Sequence, residues 1–187
     1  MNTQFFNQID KSWSLFLDRD GVINERIIDG YVQNISQFHL LDGVTEAVTI
    51  FKEIFGRIFV VTNQQGIGKG IMTEEDLFHV HTYMQDLIGM PFDKIYFCPS
   101  LAEENSPMRK PNTGMAMEAQ KDFPFVDFPK SIMVGDAFGD ILFGKNTGMK
   151  TVYINPEEKN NEADINCCSL FHFAQLLPNN SLFDNTL

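Results

Sequence analysis

Short apolar runs that stop abruptly in polar residues alternate along this chain with stretches whose apolar positions recur every three or four residues. The first run, Leu15-Phe16-Leu17 at the end of Ser12 to Leu17, halts at Asp18, which predicts a buried strand. From Val44 the residues Ala47, Val48, Phe51, Ile54 and Phe55 recur at helical spacing, and Gly56 stands where a helix ends. Arg57 to Asn63 (RIFVVTN) reads as a second buried strand. Thr73-Glu74-Glu75-Asp76 has the form of a capping box, opening a helix with an apolar face of Leu77, Val80, Met84, Leu87 and Ile88. Lys94 to Cys98, Ser131 to Asp136 and Lys150 to Asn155 predict three further strands, and Thr113 to Lys121 a helix behind a proline. The polar stretch after Asn155 reads as a loop or an edge feature, and Leu170 to Leu177 as a short last helix. Residues past Pro178 are expected to fray.

Strands alternating with helices predict an α/β fold, a Rossmann-like parallel sheet with helices on both faces. Residues 1–187 read as a single domain with its core over about residues 13–155; no repeat or linker divides them. Between Asn24 and Leu41 there is room only for a short loop, so no large cap domain is expected and the site should be open, with a homodimer partner available to close it.

Composition narrows the function classes. With 43% hydrophobic and 21% charged residues in 187, the chain has ample material for a core and is not wholly disordered. No apolar run of about 18 residues is present, so no membrane association is expected. The segment Met1 to Trp13 lacks the pattern of a secretory signal, and the three cysteines, Cys98, Cys167 and Cys168, make no disulfide framework; both point to a reducing cytoplasm. The 14 Lys+Arg against 25 Asp+Glu give a net charge of -11, which disfavours nucleic acid as a partner. A small anionic metabolite is still allowed where cations gather.

Three strands end in polar residues that a plain core does not require: Asp18-Arg19-Asp20-Gly21, Thr62-Asn63-Gln64, and Gly135-Asp136 with Asp140 following. In an open parallel sheet the crevice lies beyond the carboxyl ends of the strands, so these groups converge. Asp18, Asp20, Asp136 and Asp140 would crowd carboxylates that raise one another's pKa unless a cation joins them, and Mg²⁺ suits oxygen ligands beside a phosphate. Lys110, held extended by Pro111, can reach the crevice, and Thr62 with the amides of Asn63 and Gln64 can donate to phosphate oxygens. Arg19, Lys69, Arg109 and Lys110 would make the pocket locally positive. The four histidines show no metal spacing, and His79 and His81 point in different directions on a helix.

Leu15 to Glu25 (LFLDRDGVINE), Val60 to Gly66 (VVTNQQG), Arg109-Lys110-Pro111 and Val134 to Asp140 (VGDAFGD) resemble, in order, the four motifs of the haloacid dehalogenase-like phosphatases. The branch they are most similar to contains the heptose bisphosphate and histidinol-phosphate phosphatases. The resemblance implies Asp18 as nucleophile and Asp20 as general acid and base, its pKa raised by the carboxylates around it. It implies Mg²⁺ held by Asp18, the Asp20 carbonyl and Asp136, phosphate contacts from Thr62, Asn63, Lys110 and Arg109, and Asp140 behind them orienting Lys110 or a metal-bound water. The substrate it implies is a small sugar phosphate such as a heptose bisphosphate, with histidinol phosphate next. Two positions depart from the family pattern. Its zinc loop is reduced to one thiol, Cys98, so no zinc is expected, and the Lys that follows the last Gly-Asp is Ala137. A phosphotransferase, or a receiver-like domain that binds without turnover, remain the alternatives. A receiver needs no acid two residues after its acceptor Asp, which is what Asp20 is.

Overall fold

The computed structural model describes residues 4–178. Six strands, β1 (Ser14–Leu17), β2 (Arg57–Asn63), β3 (Lys94–Cys98), β4 (Ser131–Gly135), β5 (Lys150–Ile154) and β6 (Ile165–Cys167), form one parallel sheet in the order β3-β2-β1-β4-β5-β6. Five helices accompany them: α1 (Val44–Ile54), α2 (Glu74–Ile88), α3 (Gly114–Asp122), α4 (Phe138–Thr147) and α5 (Leu170–Gln175). The strand order reverses between β1 and β4, where successive crossovers leave in opposite directions and a crevice opens at the carboxyl ends. The polar motifs of β1, β2 and β4 meet there.

Side chains alternate across the pleat, so each central strand feeds two cores. Leu15, Leu17, Ile58, Val60, Ile132 and Val134 face α1, α2 and α5, while Phe16, Phe59, Val61 and Met133 face α3 and α4. Phe16 and Phe59 lie 5.0 Å apart, both fully buried, each burial worth about 1.5–3 kcal/mol. This is why the strands read as continuous apolar runs: both faces are covered.

The helix starting at Thr73 opens with a complete capping box, Thr73 and Asp76 each bonding the other's backbone amide, and ends at Gly89 with φ 74°. Its buried face differs from the expected one. Leu87 is 43% exposed, whereas His81 is buried in the stripe Leu77, His81, Met84, Ile88. The edge feature after Asn155 is β6, a three-residue strand pairing Val152 with Ile165. The last helix is shorter than predicted, and the fraying expected beyond Pro178 falls outside the described residues.

Between 24 and 41 lies only loop with one short 3-10 turn, Ile35–Gln37. No helix among the described residues is long and apolar enough to cross a membrane.

Candidate active site

Asp18 leaves β1 with its amide bonded to Val134 O on β4, which fixes its carboxyl at the switch point. Gly21 makes the turn that follows: its φ is 92°, and a Cβ there would collide with the Asp136 carboxylate. A carboxylate from the end of β4 therefore reaches the loop after β1. Asp18, Asp136 and Asp140 bring ligand oxygens within 4.8 Å of one another.

Lys110 comes from the segment before α3 and is buried among them. Its ammonium donates to Asp18 Oδ1 at 2.6 Å, Asp140 Oδ1 at 2.7 Å and Val61 O at 2.7 Å, which uses all three of its protons. A phosphoryl oxygen reaching Lys110 must share or displace one of these acceptors. Burial lowers the lysine pKa, but Asp140 and Asp18 outweigh it and the net direction is up. Asp140 is spent on two contacts, its Oδ2 accepting from Ala137 N at 3.0 Å.

Crowding acts on Asp18 and Asp136. Burial pushes Asp136 up to about 8, with the Asp18 charge adding to it and Arg26 opposing. Burial likewise pushes Asp18 up to about 6 against the pull of Lys110. Asp20, expected to be raised, is lowered instead. Burial raises it, but the charge and hydrogen bonds of Arg19 prevail, with help from Asn24 and Gln64. Its neighbours are donors rather than carboxylates: Arg19 Nη2 forks onto both oxygens at 2.9 and 3.0 Å, Asn24 Nδ2 donates at 3.0 Å and Gln64 Nε2 at 2.9 Å. Arg19 is thus a wholly buried partner of Asp20 and no part of the cavity wall.

Thr62 is buried at the end of β2. Gln64 Nε2 donates to its Oγ1 at 2.8 Å, leaving the threonine proton free for another acceptor. Asn63 lines the cavity, yet its side chain is engaged elsewhere: it accepts from Lys110 N at 3.0 Å and donates to Lys110 O at 3.1 Å, pinning the lysine backbone. The Gln64 amide, expected to face phosphate, donates to Cys98 O at 2.7 Å. Arg109 does not line the cavity, because its half-buried guanidinium is held by the Ser100 carbonyl, to which it donates at 3.2 Å.

The cavity holds about 480 Å³ and is lined by Asp18, Asp20, Thr62, Lys110 and Asp140 at its floor. Two cations occupy its wall. Arg26, which the sequence reading missed, donates to Asp136 Oδ1 at 2.9 Å. Lys69 lies 5.2 Å from the centre of the Tyr31 ring, and Gln65 holds the Tyr31 hydroxyl at 2.8 Å. Arg26 sits in a loop with no periodicity to mark it, so only its position after the first motif could have flagged it.

His81 reaches the site from behind: its Nε2 lies 3.3 Å from Arg19 Nη1, and burial pushes the imidazole down to about 3, Arg19 adding to the effect. The donor set as a whole suits a hard dication. Asp18 Oδ2 and Asp136 Oδ2 accept no hydrogen bond from the described residues, and two carboxyls forced upward by burial mark a deficit of positive charge.

The model of the polynucleotide kinase 3 phosphatase family matches residues 17–178. The D-glycero-alpha-D-manno-heptose-1,7-bisphosphate 7-phosphatase of Burkholderia mallei is 42% identical over 154 residues, 77% of this chain and 80% of that protein. The protein of the same name from Campylobacter jejuni is 39% identical over 155 residues, 80% of this chain and 86% of that one. The crystal structure of D,D-heptose 1.7-bisphosphate phosphatase from B. bronchiseptica, complexed with magnesium and phosphate, superposes with a TM-score of 0.78 at 23% identity, covering 87% of this chain and 96% of that one.

Proposed function

The chain belongs to the polynucleotide kinase 3 phosphatase family of haloacid dehalogenase-like phosphatases, and from that premise we propose that it is a Mg²⁺-dependent phosphatase acting on a heptose 1,7-bisphosphate through an aspartyl-phosphate. The observation that carries this reading is the set Asp18, Asp136 and Asp140 within 4.8 Å, with Lys110 saturated between Asp18 and Asp140. Asp18 attacks phosphorus while the bond to the sugar oxygen breaks, and Asp20 gives that oxygen its proton. The entering phosphate supports this role by adding negative charge beside Asp20, which raises its proton affinity against the hold of Arg19. In the second step Asp20 takes a proton from the water that attacks the phospho-aspartate. Thr62 donates its free hydroxyl proton to a phosphoryl oxygen, and Lys110 stabilises the charge that shifts between Asp18 and phosphate. Asp18, the Asp20 main chain and Asp136 would hold Mg²⁺, which when bound neutralises phosphoryl charge and aligns the nucleophile.

The substrate assignment rests on the relatives' names and on the cavity wall, where Arg26 and Lys69 offer a second anionic group a partner. The net charge of -11 opposes an oligonucleotide substrate. A second copy of the chain is the proposed closure of the open mouth. The deciding experiment is phosphate release with Mg²⁺ from heptose 1,7-bisphosphate, heptose 7-phosphate, histidinol phosphate and a 3′-phosphorylated oligonucleotide. The highest kcat/KM is expected for the bisphosphate; no release from any ester, or preference for histidinol phosphate or the oligonucleotide, would reject the reading.

Metal binding should depend on pH in a defined direction. Asp136, pushed up to about 8, carries a proton at pH 6 that a cation must displace, whereas at pH 8 half of it is already ionised. Apparent Mg²⁺ affinity should therefore rise, by about tenfold per pH unit at most, as pH climbs from 6 towards 8, with proton uptake by the buffer. Calorimetric titration in two buffers of different ionisation enthalpy measures both, and a flat affinity would contradict it. Elemental analysis of the same protein should find zinc below about a tenth of an equivalent, since a single thiol cannot complete a four-ligand site.

A further inference from the structure

Arg19 is fully buried, and its guanidinium does two things at once. One end forks onto Asp20; the other, Nη1, lies 3.3 Å from His81 Nε2. A guanidinium only donates, so His81 Nε2 must carry the lone pair and the ring proton must sit on Nδ1. On the fork end Arg19 Nε also donates to Asp20 Oδ1 at 3.3 Å, and Gln64 Oε1, at 3.4 Å from Nη2, is a weaker fourth contact. His81 is itself fixed, because it lies on the buried face of α2 with Leu77, Val80, Met84 and Ile88 and is the polar member of that set. An apolar residue would fill this place in the core as well; the imidazole supplies what an apolar residue cannot, an acceptor that stops the far end of Arg19.

We propose that His81 is a positioning residue for Asp20, acting through Arg19: by accepting from Nη1 it sets the rotation of the guanidinium fork and with it the direction in which Asp20 presents its carboxyl. This rests on the reading of Asp20 as general acid and base. A long arginine side chain freed at one end samples other rotamers, and Asp20 then loses its orientation while the ground-state hold on phosphate, made by Thr62 and Lys110, is untouched.

The test compares His81→Leu, His81→Gln, Arg19→Met and the His81→Leu/Arg19→Met pair on two esters, heptose 1,7-bisphosphate, whose alkoxide must be protonated, and p-nitrophenyl phosphate, whose phenolate need not be. In His81→Leu, kcat/KM, which ends at phosphoryl transfer, should fall about tenfold on the sugar ester and by less than about twofold on the aryl ester, while kcat on the aryl ester falls as well because Asp20 also activates the water that frees the phospho-aspartate. His81→Gln, whose Oε1 can accept from Nη1, should recover most of the loss, and the double variant should be no slower than Arg19→Met alone. Equal losses of kcat/KM on both esters, or additive losses in the double variant, would overturn the proposal. If His81→Leu does not fold, ¹⁵N spectra of the unaltered protein decide: a lone pair on Nε2 and a proton on Nδ1 support it, and the other tautomer or a protonated ring overturns it. Absence of hydrolysis of either ester by the unaltered enzyme would reject the reading of Asp20 and this inference with it.

Discussion

Asp18→Asn is expected to lose at least about 10³-fold in turnover while folding as well as the unaltered protein. The amide is the same size and can still accept from the Lys110 ammonium that now sits 2.6 Å from Oδ1, so the packing at the end of β1 has no reason to change. It has, however, no carboxylate lone pair to offer phosphorus, and no aspartyl-phosphate can form. Stability points the same way. Burial pushes Asp18 up to about 6, so above that pH the folded state carries a charge it disfavours, and a neutral amide removes that cost. The melting temperature without metal should thus hold or rise at pH 7.5, and the gain on adding Mg²⁺ should shrink. Phosphate release and thermal melts with and without Mg²⁺ check both parts; near-normal turnover would strip Asp18 of its role.

Much of this site is legible in the sequence, for a physical reason. A parallel sheet covered on both faces needs apolar runs, and where such runs stop in Asp18, Thr62 or Asp136 the polar residue faces the crevice at the strand end. Register, by contrast, leaves no trace of side-chain partners. Its place in the first motif marks Arg19 as a pocket cation, but its guanidinium turns inward to Asp20 and reverses the expected direction of that residue's pKa. Asn63 and Arg109 stand in the right motifs, but one is spent on the Lys110 backbone and the other on a loop carbonyl. Arg26 comes from an aperiodic loop, and His81 belongs to a stripe whose spacing from Leu77 to Ile88 was legible, while its partner on another element was not. Sequence pattern thus located the groups that the strand ends carry and missed those whose role depends on which way a long side chain turns.

Lys110→Met tests the same centre from the cationic side and should cost stability as well as turnover. Methionine matches the length of the stem, but it leaves Asp18 and Asp140 facing one another in the core and Val61 O without its donor. Breaking a buried pair by removing one partner costs about 3–5 kcal/mol, far more than the pair itself contributes. The sign with pH is defined. Lys110 has its pKa raised, so its contribution is fully present throughout the neutral range and fades only at strongly alkaline pH. Without it Asp18, which burial already pushes up to about 6, loses the downward pull of the ammonium; at pH 5 it remains protonated and the loss is small, and at pH 8 it must ionise in the core without a cation and the loss is greatest. Urea unfolding in EDTA at the two pH values measures the difference, and a loss below about 1 kcal/mol at pH 8 would show that the ammonium does not hold the acids together. Adding Asp140→Asn to the variant should return part of the stability by removing one charge, yet turnover should stay low, because the group proposed to stabilise the charge shifting between Asp18 and phosphate is still missing.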